Sequence, residues 1–203
     1  MSFPVNMTSV LTGLTKSQLA NLRRKEIVVP EVRNKRPPLY SFRDLVALRS
    51  IARLRAEHSA QRIAKVFQNL DLHDLTAHPS AYRFGAIDGT IVVERDDQAM
   101  DLLRQPGNLM AYTFEEVTQA FSGWKGKEVV NFNNPHRNVE VSYSRLGGWP
   151  TIKNTRVPFD LVSDLVDMET VFPEDVQEFY PGVSRQAASD AVDFSDIVGG
   201  RLS

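Results

Sequence analysis

Thr12-Gly13-Leu14-Thr15-Lys16-Ser17-Gln18-Leu19-Ala20-Asn21-Leu22-Arg23-Arg24 decides how this chain folds. A glycine stops a helix by turning left-handed, and Thr15, two positions on, is a residue that starts the next. Upstream, Asn6 is placed to cap a short helix running through Leu11. Downstream, Thr15 opens a second helix containing Leu19 and Leu22. Two short helices around a glycine turn make a helix-turn-helix pattern.

Working outward, residues Ile27 to Tyr40 hold a β-branched run, then Pro30, then Arg33-Asn34-Lys35-Arg36, then Pro37-Pro38. This order predicts a strand, a basic loop and a return strand, the makings of a wing. Ser41 then caps a long helix. Leu45, Leu48, Ile51, Ala52 and Leu54 form its apolar stripe at helical spacing, and Arg43, Arg49, Arg53 and Arg55 occupy the rest of its surface. A helix from Ser59 to Leu70 follows, presenting Ile63, Val66, Phe67 and Leu70.

The texture changes near Leu75. Asp88-Gly89 is a hairpin signal between β-prone runs within residues 82–95, and Thr90-Ile91-Val92-Val93 is the clearest strand. Leu109 to Phe114 and Glu128 to Phe132 are weaker strand candidates. Residues Thr113 to Phe121 read as a helix by their capping box, Thr113 with Glu116, and as a strand by their alternation. Asn133-Asn134-Pro135 predicts a turn. Helices return at Pro158 to Asp167, with Phe159, Val162, Leu165 and Val166 on one side. Pro173 to Tyr180 comes next, with Val176 and Phe179. After Pro181-Gly182, Ser184 caps a last helix that turns Ala187, Ala188, Ala191 and Val192 inward. The expected fold is α+β: an N-terminal winged helix-turn-helix (1–74), a small β-rich middle (75–146) and a C-terminal three-helix domain (147–203).

Charge divides along the same lines. Residues 1–66 carry thirteen Lys and Arg against four Asp and Glu, a local net of +9, while the other 137 residues carry −10. The whole-chain net of −1 conceals a basic part suited to a polyanion and an acidic part suited to something else. The absence of Cys rules out disulfides, thiolate metal sites and Cys nucleophiles. No apolar run reaches the roughly 20 residues of a spanning helix. Met1 to Val5 lacks the basic start and apolar run of a signal peptide, so a cytoplasmic location is expected.

Two segments resemble known families. Residues 9–70 are similar to the winged helix-turn-helix of MerR-type regulators through Leu11, Gly13, Leu19, Pro30, Tyr40-Ser41, Asp44-Leu45, Leu48-Arg49, Ile51, Leu54-Arg55 and Leu70. Residues 147–196 resemble a short helical domain common in VapB-type antitoxins. They do so through Gly148-Trp149-Pro150-Thr151-Ile152-Lys153-Asn154-Thr155-Arg156-Val157-Pro158 and then Tyr180-Pro181-Gly182-Val183. The pair resembles a VapB-like antitoxin, which implies operator DNA and a PIN-domain ribonuclease toxin as partners, with no enzyme activity of its own. The chain departs from the MerR pattern at two places. Ala20, Asn21 and Leu22 stand where an Arg and an aromatic pair are usual, and Pro38 stands where the wing usually has Arg.

These readings nominate sites. Lys16, Ser17, Gln18 and Asn21 are placed to reach base edges if the second helix enters the major groove of double-stranded DNA. Arg23, Arg24, Arg33, Lys35, Arg36 and Tyr40 are placed for the backbone, where clustered cations gain affinity by releasing counterions. A homodimer reading two half-sites is expected. From Val157 to Ser203 ten acidic residues face two Arg, a net of −8, which disfavours a second DNA site and favours a basic protein partner. Trp149, Arg185 and Arg201 are the candidates for touching it. His58, His73, His78 and His136 lack metal spacing and read as surface residues, so no metal or cofactor is expected. The competing expectations are a protein-interaction module without DNA function, and a regulator whose middle region binds a small ligand.

Overall fold

Gly13 ends the first helix as the sequence predicts. The helix α1 (Val5–Thr12) closes on Gly13 at φ 76°, whose N–H donates to Ser9 O at 2.9 Å. The second helix, α2 (Lys16–Arg24), opens with a reciprocal cap: Gln18 N–H donates to Thr15 Oγ1, and Gln18 Oε1 accepts from Thr15 N–H at 2.8 Å. These come from a computed structural model that describes residues 2–68, 78–81, 83–87, 90–95, 98–101, 114–166 and 168–200.

Ser41 and Asp44 make the same cap for the long helix α3 (Phe42–Glu57), after which α4 (Ala60–Gln68) turns back. The expected α3 stripe is the core: Leu45, Leu48, Ile51, Ala52 and Leu54 are all buried, as are Ile63, Val66 and Phe67 of α4. Leu70 lies outside the described residues. Arg49 is not on the solvated surface with Arg43, Arg53 and Arg55 but is 1% exposed.

The expected strand ahead of the basic loop does not form. Ile27 and Val28 turn into the core while Val29 and Val32 face out. The strand β1 (Phe3–Pro4) pairs instead with β2 (Leu39–Tyr40), antiparallel, with Phe3 opposite Tyr40. The basic loop is closed only by a single bridge, Arg33 with Leu39, through N–H···O bonds of 3.1 and 2.8 Å. Pro30 and Pro37-Pro38 remove ladder donors from both arms, so one bridge is what survives of the hairpin.

In the middle, β3 (Arg83–Ile87), β4 (Thr90–Arg95) and β5 (Gln98–Asp101) form an antiparallel three-stranded sheet in that order. Ile87 pairs with Thr90, as a two-residue turn requires, although Asp88-Gly89 itself lies outside the described residues, as do 109–113. The strand β5 is additional to those expected. The ambiguous stretch is helical at α5 (Phe114–Thr118) and then enters β6 (Phe121–Ser122), which pairs with β7 (Glu128–Val129).

The last part begins with β8 (Val139–Glu140) paired to β9 (Thr151–Ile152), followed by α6 (Phe159–Leu165), α7 (Val176–Phe179) and α8 (Arg185–Gly199). Because α7 is a single turn, it buries Val176 but leaves Phe179 55% exposed. The mixed α+β class holds. Buried side chains from Phe3 to Phe194 form one contiguous cluster. The N- and C-terminal parts interlock within it: a Cβ on Gly148 would meet Cε2 of Phe42 at 2.6 Å, and Phe3 packs against Trp149 with ring centroids 5.7 Å apart. No helix among the described residues is long and apolar enough to cross a membrane.

Candidate nucleic-acid interface

A basic element lies on each edge of α2. On one edge, Lys16, Leu19, Ala20 and Arg23 line a cleft of about 500 Å³ whose far wall is Arg36, Pro37 and Pro38. Tyr40 lies at this cleft and is 1% exposed. Burial pushes its phenol upward, with the Arg23 charge opposing and Asp44 adding.

Lys16, Ser17, Ala20 and Arg24 are exposed along the helix, and Lys35 and Arg36 on the loop. Other nominated residues hold the scaffold. Gln18 is the reciprocal cap of α2. Arg23 Nη1 donates to Asn34 O at 2.6 Å, tying the helix to the loop. Arg33 Nε donates to Pro37 O at 2.8 Å and braces the loop from within. Asn21 Oδ1 accepts from Arg24 Nη2 at 3.1 Å.

On the opposite edge lies a basic element that the sequence reading did not nominate. Gln18 sits about 160° around the helix from Ala20. There Thr15, Gln18 and Arg55 share a second cleft, about 220 Å³, with the β6–β7 turn: Trp124, Lys125 and Lys127. Trp124 is 45% exposed, with Arg55 Cζ 4.9 Å and Lys125 Nζ 4.5 Å from its ring centroid. Residues 121–127 are separated from α2 by about a hundred positions, so neither charge counting nor periodicity could bring them together.

Arg49 holds this arrangement. Its guanidinium donates to Leu11 O at 2.6 Å, at the C-terminal end of α1. It also donates to Val117 O, Thr118 O and Gln119 O around the end of α5, and to Val130 O just after β7. A helix leaves its last carbonyls without partners and negative, so a cation with five N–H groups caps two helices at once. The rings of Phe121 and Phe132 lie 5.3 and 5.5 Å from Arg49 Cζ. Burial pushes the guanidinium down to about 9, with Arg53 adding to the shift, and it stays charged at neutral pH.

Two histidines expected at the surface are drawn into acidic clusters. His78 Nε2 lies 3.1 Å from Asp44 Oδ1 and 4.0 Å from Glu31 Oε1. Asp44 Oδ2 also accepts from the N–H groups of Ser41 (2.7 Å) and Glu31 (3.0 Å), so the cluster fastens residue 78 to the start of α3. His136 meets Asp190 and Asp193 with one ligand atom each within 4.8 Å. Folding, not local spacing, makes both groups. His58, the C-cap residue of α3, is also buried, at 5% exposure. His73 is outside the described residues.

Of the partner-facing candidates, Trp149 is half-buried. Its Nε1–H donates to Asp160 Oδ1 at 3.1 Å, and its ring packs on Phe3 and Phe159. Arg185 is exposed and pairs with Glu174 at 3.6 Å. Arg201 lies outside the described residues.

A family described as "Protein of unknown function (DUF433)" matches residues 139–195, from β8 into α8. No curated protein and no solved structure matches the chain.

Proposed function

We propose that the chain is a non-enzymatic regulator of the VapB-like antitoxin type. Its N-terminal part binds operator DNA as a MerR-like winged helix-turn-helix, and its C-terminal part neutralises a PIN-domain ribonuclease. The observation that carries the DNA half is the exposed face of α2, Lys16, Ser17, Ala20 and Arg24, bordered by a loop presenting Lys35 and Arg36. Lys16, Ser17 and Asn21 reach base edges in this reading, and Arg24, Lys35 and Arg36 take phosphates. Ala20 presents a small apolar surface suited to a thymine methyl group. The protein acts as a homodimer on two half-sites.

The ribonuclease half rests on the resemblance of residues 147–196 to VapB-type antitoxins and on the surface of that part. Leu161, Met168, Phe172 and Phe179 are 40–59% exposed in a stretch of net charge −8. A protein that grips RNA presents basic surface, and an acidic face with apolar anchors is its complement.

The test is Arg24→Glu with Arg36→Glu in a titration against duplex DNA from upstream of the gene. The proposal requires that this pair abolish binding while the protein stays folded. Retained binding would overturn the DNA half. One observation favours a second reading, a protein-interaction module without DNA function: Arg23 and Arg33 are engaged with carbonyls of the chain itself. Unchanged capture of a protein partner by the same double variant, with no DNA binding by wild type, selects that reading.

A further inference from the structure

The β6–β7 turn stands beside α2 but belongs to no element of the helix-turn-helix. Its position is fixed twice. A Cβ on Gly13 would meet Val129 Cγ1 at 2.8 Å, so β7 presses on the turn between α1 and α2. Arg49 donates to both Leu11 O and Val130 O, tying the same two segments through one guanidinium. The hairpin is thereby packed against the turn that leads into α2.

Its chemistry is cationic. Lys125 and Lys127 are exposed, and among the described residues no ion pair neutralises either; Glu128 is the one carboxylate between Phe121 and Val129. Trp124 holds Arg55 and Lys125 against its ring, so it positions charge rather than offering a free platform to a base. Gly126 has φ 73° and open space before it, which lets a ligand's backbone approach the main chain.

We infer that the β6–β7 turn, with Arg55, is a second phosphate-binding lobe for duplex DNA, lying across α2 from the 33–39 loop. The inference rests on the reading that α2 enters a groove. Such a helix lies between two phosphate backbones, and a basic lobe on each edge meets both. Lys125 and Lys127 act as point charges on phosphate, and they add affinity and salt dependence without base preference.

The test is fluorescence anisotropy of the full chain with a labelled 26-base-pair duplex from upstream of the gene and an unrelated duplex of equal length, over a salt series. Lys125→Gln with Lys127→Gln is expected to make the log–log salt slope shallower by about 2 on both duplexes, at roughly 0.9 per lost contact. Lys153→Gln, exposed in the C-terminal part, serves as the control and leaves the slope unchanged. An unchanged slope in the double variant, while Arg24→Glu with Arg36→Glu abolishes binding, overturns the lobe and leaves the reading of α2 standing. Failure of the wild-type chain to bind either duplex overturns both. Should the double variant not fold, lysine acetylation of the wild-type chain decides. Protection of Lys125 and Lys127 by DNA supports the lobe, and equal labelling with and without DNA overturns it.

Discussion

Gly13 and Val129, 116 positions apart, touch so closely that the glycine's missing side chain is the space the valine occupies. Gly13 also has φ 76°, where any other L residue costs about 1–2 kcal/mol. Gly13→Ala is therefore expected to lose that amount plus the clash, about 2–4 kcal/mol in all. Val129→Ala in the same chain should return the clash portion and leave the conformational cost. Urea unfolding of the two single variants and the double gives the coupling energy, and strict additivity would refute the contact.

Arg49 is expected to be the least replaceable residue in the chain. Removing it leaves carbonyls at the ends of α1 and α5 without partners in a dry site, each worth about 1–3 kcal/mol. Both Arg49→Met and Arg49→Lys should destabilise by at least about 3 kcal/mol, because an ammonium cannot span five acceptors held in different directions. Equal stability of the Lys variant in chemical denaturation would show that charge alone suffices.

The Arg49 shift also has a pH signature. A guanidinium lowered to about 9 in the folded chain binds its proton less well there than when unfolded, where its ordinary, higher value applies. The cost of burying its charge is fully present below about pH 9 and is relieved as pH rises above it toward the ordinary guanidinium range. Arg49→Met should lack this relief, so the wild-type-minus-variant difference in stability should grow in favour of wild type between pH 8 and 10. A difference that shrinks over that range would contradict the assignment.

Asp44 supports the loop end of α3. Asp44→Ala removes the acceptor for Ser41 and Glu31 N–H and the nearer of the two carboxylates beside His78. A loss of about 2–3 kcal/mol is expected, more than the roughly 1 kcal/mol of an ordinary cap. A thermal-unfolding change smaller than Ser41→Ala produces would contradict it.

In the C-terminal part, Phe172→Ser and Phe179→Ser should leave stability within about 0.5 kcal/mol, because both rings are exposed, yet weaken capture of the proposed ribonuclease partner at least tenfold. Normal capture by the double variant would remove these rings from the interface.

Most local signals were legible in the sequence, although Asn6 lies inside α1 rather than capping it, since the helix starts at Val5 after Pro4 with no side-chain cap. Thr15, Ser41 and Ser184 start helices because each carries an oxygen one turn ahead of an unpaired N–H, and Gly13 ends one because it alone turns left without strain. What sequence could not yield depended on distant partners. Arg49 reads as one more surface cation because its acceptors are backbone atoms up to 81 positions away. The strand before the basic loop failed because Pro30 and Pro37-Pro38 outweighed a β-branched run. Of the nominated DNA face, Lys16, Ser17, Arg24, Lys35 and Arg36 are exposed as a reader of charge would expect. Arg23 and Gln18 hold the loop and the helix cap, because their side chains reach backbone groups that composition does not reveal.

The most direct measurement is a fluorescence-anisotropy titration of the full chain with duplex DNA from upstream of its gene across a salt series. With Lys16, Arg24, Lys35 and Arg36 exposed on one side, the account predicts binding whose log–log salt slope is about −4 or steeper, and which survives competitor DNA. No binding at low salt by a protein shown to be folded would contradict it.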